Sequence, residues 1–504
     1  MRRLLVVVSI ILLAGFIRFW QLGDFPPSLS IDEISFAFNA NSIFQTSHDE
    51  HGVYLPLSFK SLGDYKLPHD IYLRVPIFAL FGVSEFNTRL PVAAFSVLTV
   101  FVVIVLLQKL KFSFKVSIFT GFWFSLLGWH IFYSRSSFEA ITALFYILLG
   151  LYWFLIWKKN NSPLTILGAS LVWGLSIWTY NTQRIFVPLL VLFLYLQIKP
   201  KIKPIVVMPI LVFIAFCTAL IALVVFDRSS TGRAVDLFVG WDKILEQYLN
   251  YFSLKFWFWK AGIITPKDFQ GLGLLNLVDL PIFILGIIGL FKSKNIFLKK
   301  LTLFWFLAGP IAAGFTKGDP SPIRVIVWMP FFIFIMSMGF ETLLKQRKIW
   351  LIGYLVGLAF CFSYFMDLYS RNFMKFYADQ WHFGYKQAAI YVCQNHDKFD
   401  QIIVTDKYGI VVNKIKTVPY LYFLIYCNID PEKYLQNREI YNISFRQPQW
   451  FYDSQLSNTL LIGSQWDFPE NFPKNWIDKQ IDFPTGEPAL LFIETSPKKT
   501  SVIK

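Results

Sequence analysis

The chain has 504 residues, of which 55% are hydrophobic, 19% aromatic and only 16% charged, and its formal net charge is +15. Soluble domains carry about 25% charged residues, so the composition excludes an ordinary soluble globule and points to a multi-span membrane protein. The positive charge is not a nucleic-acid footprint, because Lys and Arg sit in short clusters between apolar runs.

About eleven runs approach the ~20 apolar residues that a helix needs to cross lipid: 4–20, 91–108, 116–133, 138–157, 164–179, 185–198, 205–226, 277–291, 301–315, 325–343 and 349–367. The first follows Met1-Arg2-Arg3 and resembles a signal peptide. No small-x-small cleavage site precedes the polar stretch behind it, so it is expected to remain as an anchor.

Between 21 and 90 the chain is crowded with charge: Asp24, Asp32-Glu33, Asp49-Glu50, Lys60, Asp64, Lys66, His69 and Asp70. Carboxylates beside a bilayer lose hydration and seldom sit there without partners or a task. Further along, basic residues cluster in alternate loops: Arg2-Arg3; Lys109, Lys111 and Lys115; Lys158-Lys159; Lys199, Lys201 and Lys203; Lys292, Lys294 and Lys299-Lys300; Lys345, Arg347 and Lys348. This positive-inside pattern assigns 21–90, 134–138, 180–184, 227–276, 316–324 and the tail from 368 to the outer face of a cell membrane. An aromatic run at 248–259 suits an interfacial helix.

After Tyr369 no run is long enough to span, and Asn, Asp, Gln and Pro become common. A helical pattern at 384–394, a β-prone run at 401–405, an apolar segment at 418–427 and β-prone runs at 440–445, 458–462 and 489–493 suggest a small α/β layer domain. The expected architecture is therefore a multi-span α-helical membrane domain, 1–367, followed by a soluble extracytoplasmic α/β domain, 368–504. Cys217 and Cys361 lie in apolar runs and read as packing residues. Cys393 and Cys427 lie in the outer domain, where a disulfide is chemically possible but not fixed by sequence. No CxxC, HExxH, P-loop or GxGxxG element is present, which argues against a zinc hydrolase and an ATP-driven pump.

The first outer segment has an order of its own: Leu22-Gly-Asp-Phe-Pro-Pro-Ser-Leu-Ser-Ile-Asp32-Glu33, then Gly63-Asp64-Tyr65-Lys66-Leu67-Pro68, then Phe81-Gly-Val-Ser-Glu85-Phe-Asn-Thr-Arg89-Leu90-Pro91. This order resembles the polyprenyl-phosphate-sugar-dependent glycosyltransferases of the GT-C superfamily. The nearest types are the protein O-mannosyltransferase-like enzymes (glycosyltransferase family 39-like) and the lipid A aminoarabinose transferases. They carry an acidic motif in the first outer loop, then a Lys-Pro-like element and an Arg-Leu-Pro entry to the second span. Here Leu67 separates Lys66 from Pro68, a departure from that pattern.

The resemblance implies a GT-C fold of about eleven spans. It also implies inverting transfer of a hexosyl or pentosyl group from a polyprenyl-phosphate donor to a hydroxyl or amine of an acceptor protein, lipid or envelope glycan. Asp32 would be the base and Glu33 a neighbour that orients it; without the resemblance, the pair reads as a helix N-terminus capped by Ser30. A carboxylate can serve as general base, while Arg and Lys can hold the departing phosphate. Lys66, Arg135, Arg184 and Arg324 are the candidate cations for donor phosphate or sugar; the plainer alternatives are snorkelling, or pairing of the arginines with Glu139 or Asp319. Asp49, Glu50 and Asp64 read either as turn and ion-pair residues or as acceptor or metal contacts, and a divalent cation is left open. His69 reads as a polar packing residue. A transporter or flippase for an envelope lipid is the alternative function, but transporters place polar residues at the midplane on broken helices, whereas these acids cluster at the surface. A ligand sensor is a third class.

Overall fold

The computed structural model describes residues 1–61, 64–198, 204–226, 237–261 and 272–495. Lys199, Lys201 and Lys203, and parts of the 227–276 segment, lie outside the described residues. The chain divides into two compact units, one of 1–20, 64–70 and 89–369, the other of 21–63, 71–88 and 370–504.

The first unit is helical. Each apolar run falls on a helix or a bent helix pair, but many are short. Among the described residues six helices are long and apolar enough to cross a membrane, or seven if Phe114–Ser125 and Gly128–Arg135, bent by 56°, make one span. The expected count of eleven is not reached, because Pro163–Ile177, Gln183–Ile198 and Leu280–Lys292 hold only 15, 16 and 13 residues. Arg2–Phe19 carries three arginines. Small residues allow close approach in this unit. A Cβ on Gly286 would clash with the Ile335 carbonyl, and one on Gly339 with that of Ile282, so Leu280–Lys292 and Met329–Leu343 meet backbone to backbone.

The aromatic run at 248–259 differs from expectation. Tyr251, Phe256, Trp257 and Phe258 are buried. The Trp257 ring lies 5.6 Å from both Phe283 and Trp328 and 5.7 Å from Phe332. Edge-to-face aromatic contacts hold these rings in the unit's interior, while Leu249, Leu254 and Trp259 of the same run are exposed.

Two buried polar groups also sit within apolar runs. Arg18 reaches His130 Nδ1 at 2.9 Å and donates to the Ser125 carbonyl. Asp279 accepts from Tyr354 Oη at 2.7 Å and from Trp123 Nε1 at 3.1 Å. Both are tied down by the partners that burial demands.

The second unit is built around a mixed five-stranded sheet. Gln401–Val404 pairs in parallel with Ile443–Phe445 and with Thr459–Gly463, Ile402 standing opposite Ile443 and Leu460. Pro488–Thr495 pairs antiparallel with Thr459–Gly463 and with Ile477–Asp482. Strand alternation sends Ile403, Leu461, Leu491 and Ile493 to one face, onto Phe468, Phe472 and Trp476. The helix Tyr385–Asn395 buries Tyr385, Ala388, Ala389 and Val392, an i, i+3, i+4, i+7 stripe. It is tied to the sheet by Tyr385 Oη on the Thr405 carbonyl (2.8 Å) and by Tyr391 against Phe492.

The same unit takes in most of the first outer segment. Ile31–Thr46 forms a helix buried on almost every side, including Ile34, Phe36, Ala37, Phe38, Ala40 and Ile43. Its polar Ser35, Asn39 and Ser42 are buried with these apolar residues. The helix packs against Pro419–Tyr426 and Pro431–Asn437, with Phe38 edge-on to Tyr434 at 5.9 Å.

Candidate active site

The helix Ile31–Thr46 begins in a complete capping box. Ser30 Oγ accepts from Glu33 N, and Glu33 Oε2 accepts from Ser30 N at 2.8 Å. Glu33 is 1% exposed, whereas Asp32, one residue earlier, is only partly buried. The two acids therefore divide. Glu33 closes the helix end, and Asp32 stands at a positive helix terminus, where a carboxylate is favoured in its ionised form.

Beneath this end lies an aromatic cluster supplied by residues after 370. Tyr422 Oη donates to the Leu29 carbonyl at 2.6 Å, and Ser28 Oγ to the His382 carbonyl at 3.5 Å. His382, 3% exposed, lies 6.0 Å from Tyr408 and 6.1 Å from Tyr422, ring to ring. Burial pushes the His382 imidazole down to about 4, against the opposing pull of the Asp32 carboxylate and the Gln380 backbone. The imidazole is thus neutral near pH 7 and within electrostatic reach of Asp32. Sequence reasoning missed His382 and Tyr422 because they follow Asp32 by more than 300 positions and carry no motif.

Asp49 and Glu50 are both 1% exposed. Asp49 Oδ1 accepts from His51 N (2.9 Å) and Val53 N (2.8 Å), an Asx-type turn. Gly52 completes it at φ +87°, a backbone conformation that favours glycine. Glu50 accepts from Tyr420 Oη at 2.8 Å and Asn39 Nδ2 at 3.3 Å, while Arg438 donates to its carbonyl oxygen. Burial pushes the Glu50 carboxyl up to about 7; Tyr420, Asn39 and Arg438 pull it down and Asp49 adds to the rise. Lys386 and Tyr426 both bond Glu85. Among the described residues no group of three or more His, Cys, Asp or Glu could hold a metal ion. Cys393 and Cys427 form a disulfide between the ends of Tyr385–Asn395 and Pro419–Tyr426.

The candidate cations belong to the membrane unit. Lys66 closes the strand Asp64–Lys66 and is 9% exposed; the side chain of Asp64 lies outside the described residues. His69 bonds Tyr146 Oη at 2.9 Å and approaches Asp70 at 3.3 Å, as a polar packing residue does. Arg135 Nη1 donates to the carbonyls of Ile17, Arg18 and Trp20, and its Nε to Tyr369 Oη. It thereby satisfies the C-terminal carbonyls of Arg2–Phe19, which a cation at that end favours. Arg324 Nη1 donates to the Lys317 carbonyl (2.9 Å) and Thr316 Oγ1 (3.1 Å), bracing its own loop.

Arg184 differs. It starts the helix Gln183–Ile198, half-buried, and its Nε finds no hydrogen-bond partner among the described residues. The same holds for Thr182 Oγ1 and for both amide atoms of Gln183, which is 0% exposed. Buried polar atoms are normally satisfied, and Arg184 Nε, Thr182 Oγ1 and the Gln183 amide are exceptions among the described residues. The sequence signal was the outer-end arginine; Gln183 gave none.

No protein-family model and no curated protein matches the chain. Among solved structures it is similar to ArnT from Cupriavidus metallidurans in the apo state, with a TM-score of 0.54 at 12% identity over 98% of each chain. It is also similar to ArnT bound to undecaprenyl phosphate, with a TM-score of 0.55 at 10% identity and 98% of each chain covered. The chain has the fold of the GT-C glycosyltransferases.

Proposed function

We propose that the protein is an inverting GT-C glycosyltransferase of the cell membrane. It moves a hexosyl or pentosyl group from a polyprenyl-phosphate donor to a hydroxyl or amine of an envelope protein, lipid or glycan on the outer face, with the tail from 368 on that face as the basic loops imply. The fold supports the reaction class. ArnT, which shares it, has been crystallised with undecaprenyl phosphate, and that supports a lipid-phosphate donor here.

The observation that carries the reading is the division at Ser30–Glu33. One carboxylate is locked in a capping box, and the one before it is only partly buried at the same helix end. Asp32 takes the acceptor proton as the bond from nucleophile to anomeric carbon forms and the bond to the phosphate oxygen breaks. The phosphate leaves as a lipid-linked anion, and Lys66, Arg184 and Arg324 neutralise that charge. Arg135, which also donates to the carbonyls of Ile17, Arg18 and Trp20, is a further candidate cation, and Gln183 and Thr182 offer further polar contacts. Incubation of the purified chain with labelled polyprenyl-phosphate sugars and envelope acceptors tests the proposal. Label moving to an acceptor, with free lipid phosphate released, is the expected result; unchanged donor appearing across the bilayer would identify a flippase instead.

A further inference from the structure

At one end of the membrane unit, where the helix Glu85–Lys109 ends, Ile296–Ala308 begins and Met329–Leu343 ends, there is an open cavity of about 740 Å³. Its wall carries Lys111, Lys292, Lys294 and Lys345. Glu341 is the one acid among its lining residues, 3.3 Å from Lys345. The deeper lining is apolar, with Phe112, Leu298 and Met338.

The wall is built, not a chance gathering of loose side chains. Asn295 caps Ile296–Ala308 through Leu298 N and reaches across to the Leu110 carbonyl, joining the turns that bear Lys111 and Lys294. Lys111 sits at φ +73° just past a helix end. Glycine or asparagine takes that position without strain, yet the chain holds a lysine there.

We propose that this cavity binds the headgroup of an anionic phospholipid. The site lies at the ends of three candidate spans. Lysines match a phosphodiester, and the apolar floor matches the start of an acyl chain. Basic pockets between membrane helices take such headgroups, whereas a free phosphate or nucleotide has no use for the Phe112, Leu298 and Met338 surface.

The test is native mass spectrometry of the full chain in detergent, titrated with phosphatidylglycerol, with phosphatidylcholine of equal chain length, and with inorganic phosphate as competitor. Wild type should hold one phosphatidylglycerol roughly 10–100-fold more tightly than phosphatidylcholine, given the attraction of a few lysines for an anionic lipid. The triple variant Lys111→Asn, Lys292→Gln, Lys294→Gln should bind the two lipids within about 2-fold of each other once that attraction is removed. Asparagine suits the left-handed position, so the variant should fold. A control, Lys159→Gln, Lys300→Gln, Arg347→Gln, removes exposed basic residues outside the cavity and should keep the preference. Equal affinities in wild type, or a preference that survives the triple variant, would overturn the proposal. Complete displacement by inorganic phosphate would overturn the lipid as the ligand and leave a simple anion site.

Discussion

Glu33 Oε2 accepts a 2.8 Å hydrogen bond from the backbone N–H of Ser30, and the neighbouring Asp32 is only partly buried at the same helix end. Adjacent acids that look equivalent in sequence thus have different surroundings. Asp32→Asn keeps the shape and removes the proton acceptor, so turnover should fall by ~100-fold or more with donor affinity retained. Glu33→Gln preserves the capping box, in which Gln serves as well as Glu, and should leave turnover near wild type. Glu33→Ala opens the box and should lower stability by about 1 kcal/mol. Normal sugar transfer by the Asp32→Asn chain at saturating donor and acceptor would remove Asp32 from the base role.

Part of this arrangement was legible from sequence for stated physical reasons. Ser30 followed three residues later by Glu33 is a capping-box spacing, and β-branched runs such as Gln401-Ile-Ile-Val-Thr405 lie on the strand Gln401–Val404. Burial of the loop helix 31–46 could not be read. Its Ser35, Asn39 and Ser42 look like a solvated face, and only the helices of 419–437, almost 400 positions away, make it an interior. The partners of Arg135 were equally hidden. Its outer-end position suggested a phosphate ligand, but whether a cation meets a lipid or three backbone carbonyls depends on tertiary placement.

Arg135 and Arg184 should accordingly behave in opposite ways. Arg135→Ala leaves three carbonyls and Tyr369 Oη short of a donor, at a cost on the order of 3 kcal/mol for buried groups left unsatisfied. Thermal unfolding in detergent should show the loss. Arg184→Ala and Gln183→Ala remove a guanidinium Nε and an amide that find no hydrogen-bond partner among the described residues. They should unfold near the wild-type temperature and raise the donor KM by ~10-fold or more, the usual worth of hydrogen bonds to a charged ligand. Unchanged donor KM in both variants would assign this run to ordered water.

The Cys393–Cys427 bridge closes a separation of 34 residues. In the chain-entropy description a loop of that length stabilises by roughly 3–4 kcal/mol. Non-reducing peptide mapping should recover the joined peptides, and Cys393→Ser with Cys427→Ser should lower the unfolding temperature. Two free thiols alkylated in the native, unreduced chain would remove the bridge from the account.

Glu50 and His382 give the second unit two opposing pH responses. Folding raises the Glu50 pKa from 4.5 to about 7, so across that window the native state binds more protons than the unfolded chain and stability falls as pH rises. Folding lowers the His382 pKa from 6.5 to about 4, so there the native state binds fewer protons and stability rises with pH. The windows nearly coincide, and wild-type stability should change little between about pH 4.5 and 6.5, where the two slopes have opposite sign. Single variants should uncover each slope. Glu50→Gln keeps an acceptor for Tyr420 and removes the carboxyl; its melting temperature should climb from pH 4 to 6.5 and then level off. His382→Phe keeps an aromatic ring among Tyr385, Tyr408 and Tyr422; its melting temperature should decline from pH 4.5 to 7. The underlying energies are on the order of 3 kcal/mol each from shifts of this size. If Glu50→Gln melts at the same temperature at pH 4.5 and 6.5, His382 is not held neutral by burial, and its place beside Asp32 would have to be reconsidered.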